Sequence, residues 1–234
     1  AGGDRKGAVN LKVIHLISGG DPGGAKTHVH SLLKNLSRGM DITLVCFPDG
    51  PFAQEAAELG IDPDMHTILL MGGSMGHAEH VKTIEKIVQI GMPFQMLVVC
   101  GNNKKMQMHV EKFAARYNGN CVIRPYGFVH NVEVMMSASD CIISKPGGLT
   151  VSEALAKNLP MLLADPIPGH EERNVDFLVN NGMAALITKH FPVDEAVYEL
   201  FTNPVRLETV RHTMKAVAHP DATERLADFV LALK

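Results

Sequence analysis

The stretch 141–174, CIISKPGGLTVSEALAKNLPMLLADPIPGHEERN, decides how this chain is read, because two apolar strands, a glycine turn and two helix starts fall within 34 residues. Cys141-Ile142-Ile143-Ser144 is a short apolar run cut off by the turn Lys145-Pro146-Gly147-Gly148, and Thr150 to Ala156 then carries helical propensity. Leu159 to Asp165 starts a second strand, which ends in a Pro/Gly loop and a new helix opening at His170-Glu171-Glu172-Arg173-Asn174. Both helices begin just past the carboxyl ends of strands expected to run parallel. In open α/β sheets that edge is where ligands bind, and unbonded N–H groups at a helix N-terminus favour an anion there.

Outward from that stretch, strand and helix alternate. Upstream lie a strand over 95–100, a helix over 104–117, a strand over 121–124 and a helix over 131–138. Downstream come a helix to about 180, a strand over 184–187, a helix over 193–201 and a final helical pair split near Pro220. Earlier, Thr67 to Met71 is a buried strand followed by Gly72-Gly73-Ser74-Met75-Gly76 and a helix from about His77 to Ile90. The first sixty residues repeat this syntax, with a strand over 11–17, a glycine loop over 18–24, a helix over 25–36, a strand over 41–47 and a short helix over 52–59 that Gly60 ends. The loops SGGDPGGAKTHV and MGGSMGHAEHV share a weak similarity, as in α/β units that bring backbone close to phosphate, and equally as in ordinary tight turns.

The fold class is α/β, a Rossmann-like parallel sheet flanked by helices. Residues 1–10 read as a disordered leader, 11–62 as a β-α-β-α fragment and 63–234 as a second unit, with Asp62-Pro63-Asp64 as the linker. We expect the first strand pair to join the edge of the larger sheet, since four elements bury too little surface to stand alone.

Composition narrows the function classes. Lys and Arg number 22 against 25 Asp and Glu, a net charge of −3 with histidines neutral, so no broad nucleic-acid surface is expected, although a local basic patch remains open. The absence of Trp and the 5% aromatic content argue against stacking platforms for single strands. No apolar run approaches the ~20 residues of a membrane span, and the N-terminus AGGDRKGAVN lacks a hydrophobic signal core, which points to a cytoplasmic protein. Cys46, Cys100, Cys121 and Cys141 lie in or beside strands without CxxC spacing, and read as reduced core thiols. His28 and His30 sit two apart on a helix and cannot share a face; His77 and His80 can, but no third ligand is evident, so no metal is expected.

Four motifs then carry a resemblance. LLMGGSMG (69–76), VVCGNN (98–103), GFVHNVEVMMSASDCIISKPGGLTVSEAL (127–155) and PIPGHEERN (166–174) occur in one order over more than half the chain, and residues 66–187 resemble the donor-binding half of family 28 glycosyltransferases of the two-lobed GT-B fold. Within that family they are most similar to bacterial diacylglycerol glucosyltransferases and plant monogalactosyldiacylglycerol synthases. HLISGGDPGGAKTHVHSLL (15–33) instead resembles the opening of family 4 glycosyltransferases, with Lys26 where Glu is usual. A family 4 head on a family 28 tail reads as a recombined or engineered chimera with a truncated N-terminal lobe.

The resemblance implies a UDP-sugar as donor substrate, no cofactor, and a diacylglycerol-type lipid acceptor reached at the inner membrane face. Glu153 would bind the ribose hydroxyls; otherwise it is a surface carboxylate near a helix start. Gly147, Gly148, Leu149 and Thr150 would present amides to the pyrophosphate, with Gly73, Ser74 and Gly76 across the cleft. Phe128 and Val129 match the uracil-binding segment, or else are core. His170, Glu171 and Asn174 would meet the sugar hydroxyls, with His170 where Gln is usual. The implied chemistry is displacement with inversion at the anomeric carbon, and the missing general base has only Asp21, His28 or His15 as candidates. Two other readings stand beside it: a non-catalytic chimeric scaffold that keeps a nucleotide-sugar pocket, and a UDP-sugar epimerase of similar fold.

Overall fold

The computed structural model describes residues 12–17, 41–46, 59–62, 64–72, 80–219, 221–222, 225–227 and 229. The chain divides into two compact units, residues 1–59 and 60–234. In the first, β1 (Lys12–Ile17) pairs in parallel with β2 (Asp41–Cys46), Lys12 opposite Asp41.

The second unit holds a six-stranded parallel sheet of β3 (His66–Met71), β4 (Phe94–Val99), β5 (Val122–Tyr126), β6 (Cys141–Ser144), β7 (Met161–Leu163) and β8 (Ala184–Leu186). The helices that accompany it include α1 (His80–Val88), α2 (Lys104–Arg116), α3 (Val132–Ser137), α4 (Gly148–Ala156), α5 (Glu172–Asn180), α6 (Val193–Thr202) and α7 (Pro204–Val217). The strand order is β5-β4-β3-β6-β7-β8, so the chain winds outward from β3 in one direction and from β6 in the other. That order is the doubly wound arrangement, and its reversal between β3 and β6 opens a crevice at their carboxyl ends.

In the first unit β1 and β2 make a two-stranded sheet, and the second unit's sheet has β5, which carries Pro125, at one edge and the three-residue β8 at the other.

The central strands are apolar on both faces, as helix-covered parallel strands must be. All six residues of β4 and all four of β6 are buried, and Ile84, Ile87, Val110, Val197 and Leu200 cover one face from α1, α2 and α6. Two polar devices fix the sheet's amino edge. The carboxylate of Asp140 accepts a hydrogen bond from the Thr67 amide at 2.9 Å while its own amide donates to Thr67 O at 2.8 Å, locking the starts of β3 and β6. Gln95, fully buried, donates to Asp62 O, Met65 O and Thr67 Oγ1 at 2.6, 3.2 and 2.9 Å and accepts from the Asp62 amide at 2.9 Å. With the Arg124 guanidinium donating to Gly60 O, these bonds fasten the entry segment onto the sheet.

Candidate functional site

Helix α4 starts where β6 stops. Gly147 is its N-cap in extended backbone, φ −65° and ψ 143°, and the first intrahelical bond runs from the Val151 amide to Gly147 O at 2.9 Å. The amides of Gly148, Leu149 and Thr150 therefore have no acceptor within the helix, and Gly147 has no side chain to cap them. An added side chain at Gly148 would meet nothing within 4 Å, so the mouth is open. Three unbonded amides at the positive end of a nine-residue helix can hold an anion.

The turn that shapes this mouth is latched from α5. Asn174 Nδ2 donates to Pro146 O at 2.8 Å, which fixes the residue before Gly147 against a second helix. Glu171, the N-cap of α5, accepts from the Ile167 amide at 2.7 Å through Oε2, while Oε1 lies 3.6 Å from where a Gly147 Cβ would stand. The structure thus brings Gly147, Gly148, Leu149 and Thr150 together with Glu171 and Asn174. His170 is exposed one residue earlier, after the left-handed Gly169 at φ +79°. Glu153 is exposed in the second turn of α4, one helical turn below Leu149 and Thr150.

Phe128 follows β5 at the same edge. It is 61% exposed and meets His130 edge-on with ring centroids 4.9 Å apart, which overturns the alternative of a core Phe128. Val129 is half-buried. Leu149, 82% exposed, and Ile167 add apolar surface to the rim. Gly73, Ser74, Gly76, Asp21 and His28 lie outside the described residues, and of His15 only the backbone is described.

His80 opens α1 beneath this edge and is buried, its Nε2 3.3 Å from Val99 O. A carbonyl only accepts, so Nε2 carries the hydrogen and Nδ1 is left as a bare acceptor with no partner. Burial pulls its pKa below the usual histidine value, and the Val99 carbonyl opposes that. The Cys100 thiol is pushed up to about 11 by burial and by Glu111, and burial raises Cys141 further. Cys100, Cys121 and Cys141 are buried and free. Among the described residues no group of three or more His, Cys, Asp or Glu is placed to hold a metal ion, and no helix is long and apolar enough to cross a membrane.

The sequence motifs do not reveal the Asn174 latch. Its signal is only an Asn one turn into a helix, and the bond needs the register of β6 against β7 to form. The bare Nδ1 of His80 is equally invisible, since the sequence shows His80 only as a helical neighbour of His77.

Comparison with known proteins agrees with this geometry. Residues 67–226 match the glycosyltransferase family 28 C-terminal domain. The processive diacylglycerol beta-glucosyltransferase of Bacillus licheniformis is 29% identical over 164 residues, 70% of this chain and 42% of that protein. The chain spans less than half the length of the curated relatives it matches. Among solved structures, Acinetobacter baumannii MurG superposes with a TM-score of 0.61 at 21% identity, covering 85% of this chain and 62% of that one. Os79 from O. sativa, in complex with UDP and deoxynivalenol-3-glucoside, gives 0.53 at 15% identity, covering 86% and 51%. These likenesses share the fold of the larger unit, and with well over half its residues matched to the family model, the chain belongs to the glycosyltransferase family 28 C-terminal domain family.

Proposed function

We propose that the larger unit binds the UDP-sugar donor of an inverting hexosyl transfer to a diacylglycerol-type lipid. The observation that carries the reading is the open α4 mouth, three unbonded amides at the sheet crossover held in place by Asn174. A pyrophosphate suits that spot in size and charge. By the family resemblance Glu153, a turn further along the helix, would take the ribose hydroxyls, and the segment Phe128–Val129 the base. His170, Glu171 and Asn174 would meet the hydroxyls of the transferred sugar. The diacylglycerol-type acceptor is taken from the name of the relatives, and UDP itself from the likeness to a fold that holds it in Os79.

In the reaction proposed, the acceptor hydroxyl oxygen attacks the anomeric carbon as the bond to the UDP oxygen breaks. The amides of Gly148, Leu149 and Thr150 stabilise the charge that grows on the leaving diphosphate. A base takes the acceptor proton, for which the sequence offers Asp21 and His28 as candidates. A lipid acceptor would place the protein peripherally at the cytoplasmic face of a membrane.

Calorimetric titration with UDP tests the reading, with Glu153→Ala as the comparison, followed by a UDP-release assay with diacylglycerol and UDP-glucose. Binding that Glu153→Ala weakens, with release dependent on diacylglycerol, is the expected outcome. Binding without release would leave a nucleotide-sugar pocket and remove the transferase activity, and no binding of UDP would remove both.

A further inference from the structure

Helix α2 breaks two local rules at once. Its first turn contains Lys104 and Lys105 and no acidic residue, so cations sit at the positive end of the helix dipole. Lys105, His109, Lys112 and Arg116 then follow at spacings of four, three and four residues, a spacing that puts all four on one face of the helix. Like charges a turn apart destabilise a helix, and among the described residues none of the four is in an ion pair. The single acidic residue of α2, Glu111, lies off the line of the stripe and takes a hydrogen bond from Gln107 at 2.9 Å. In a chain whose net charge is −3, this is a concentrated basic stripe about 16 Å long at 1.5 Å per residue.

The stripe borders apolar surface. His109, Lys112 and Arg116 line an open groove of about 440 Å³ between α1 and α2, whose other walls are Val81, Phe113 and Tyr117. Phe113 and Tyr117 stack with centroids 6.0 Å apart, and Met108 is half exposed on the other flank of the stripe. A nucleic acid would be met by phosphate contacts and stacked bases along an extended basic surface. A single stripe between an apolar groove and an exposed Met instead fits a charged interface with hydrocarbon just beneath it.

We propose that the α1–α2 face is a membrane-docking surface, the stripe Lys105–His109–Lys112–Arg116 meeting the phosphates of anionic lipids while Met108 and the Val81–Phe113–Tyr117 groove take up apolar surface. The stripe complements an anionic bilayer in charge, and this complementarity accounts for the two unfavourable charge placements in α2. The inference deepens the lipid-acceptor reading and rests on it. Its test contains neither donor nor acceptor, so a failed transferase assay and a failed docking assay are separate results.

The experiment is vesicle co-sedimentation of the full chain with phosphatidylcholine vesicles, with and without 30% phosphatidylglycerol, at about 0.1 M salt. The comparison variants are Lys105→Gln/Lys112→Gln and, as a charge-matched control elsewhere, Lys189→Gln/Lys215→Gln. Glutamine keeps helix propensity, and Lys112→Gln relieves repulsion with Arg116, so thermal stability should hold or rise slightly. The wild type should bind the anionic vesicles and leave the neutral ones, with affinity falling as salt rises. The double variant should lose about thirtyfold in affinity, roughly fivefold per cation, and the control less than twofold. Single Lys112→Gln, at an exposed position, gives the same direction should the pair fold poorly. Equal binding by wild type and folded Lys105→Gln/Lys112→Gln would overturn the proposal, as would absence of binding to anionic vesicles, or tighter binding to a duplex oligonucleotide than to those vesicles.

Discussion

Replacing Gly148 by proline removes one amide from the α4 mouth and leaves the helix intact. Gly148 is the first helical residue, where proline is favoured because its missing N–H has no helical acceptor. Gly147 before it, at φ −65° and ψ 143°, already has the backbone that a residue preceding proline must take. A side chain at Gly148 meets nothing within 4 Å. Folding stability should therefore hold, or rise by about 0.5–1 kcal/mol as the unfolded chain loses freedom. On the proposed assignment this amide donates to a charged diphosphate, a bond worth about 1.5–3 kcal/mol, so UDP affinity should fall by about 10- to 150-fold. Gly148→Ala keeps the N–H and should bind UDP within about threefold of the parent. Calorimetric titration with UDP and with uridine reads the difference, since uridine has no phosphate to lose and should be unaffected by Gly148→Pro. A folded Gly148→Pro that binds UDP as tightly as Gly148→Ala would refute the assignment of the diphosphate to this helix mouth.

Three further outcomes follow from the scaffold around the site. Asn158 ends α4 in the left-handed region at φ 54°, with a buried Oδ1 that has no partner; Asn158→Gly should stabilise by about 0.5–1 kcal/mol in urea unfolding, and Asn158→Ala should destabilise by a similar amount. Gln95→Leu keeps the volume and deletes four hydrogen bonds of the entry segment, at a cost of about 2–3 kcal/mol since two carbonyls near the surface regain water; a loss under about 0.5 kcal/mol would show that these bonds do not hold the segment. Burial lowers the His80 pKa in the folded state below its unfolded value of 6.5, so the unfolded chain takes up the proton first and stability is lost as pH falls below about 6.5, with a limiting slope of about 1.4 kcal/mol per pH unit; between pH 6.5 and 5.5 the slope should be shallower in His80→Gln than in the parent, and equal slopes would reject the assignment.

The larger unit was legible because its periodicities are strong and its punctuation is explicit. The runs Ile68 to Met71, Met96 to Val99 and Cys141 to Ile143 are too apolar for half-exposed strands, and each is followed by glycine or asparagine and then a helical pattern. Boundaries were less legible where a carbonyl geometry decides them. The strand expected from Leu159 begins only at Met161, because Asn158 and Leu159 return their amides to Leu155 O and Ala154 O at 3.0 and 2.9 Å and close the preceding helix. Composition gives no sign of that closure, since it depends on an asparagine holding a conformation usually left to glycine. The place of Pro125 in an edge strand is likewise hidden, since it follows from the strand order and not from its neighbours in sequence.

The site was legible to the depth of its backbone and not beyond. The GGLT turn announces an amide mouth because Gly147 at the N-cap has no side chain to occupy the first amides of the helix, and that reading needs no partner from elsewhere in the chain. Asn174 shows the limit. By resemblance it is a ligand to the sugar, yet one N–H of its side-chain amide is committed to Pro146 O, which leaves its oxygen as an acceptor and a single N–H as a donor for any ligand. The same bond gives Asn174 a second function that a contact role would not predict. Asn174→Asp keeps the oxygen and turns the Pro146 contact from attraction into repulsion of a carboxylate by a carbonyl. On the proposed reading, in which UDP meets the turn and the sugar meets the side chain, it should therefore weaken both. A residue that served only the sugar would leave UDP affinity unchanged, and titrating this one variant with UDP separates the two roles.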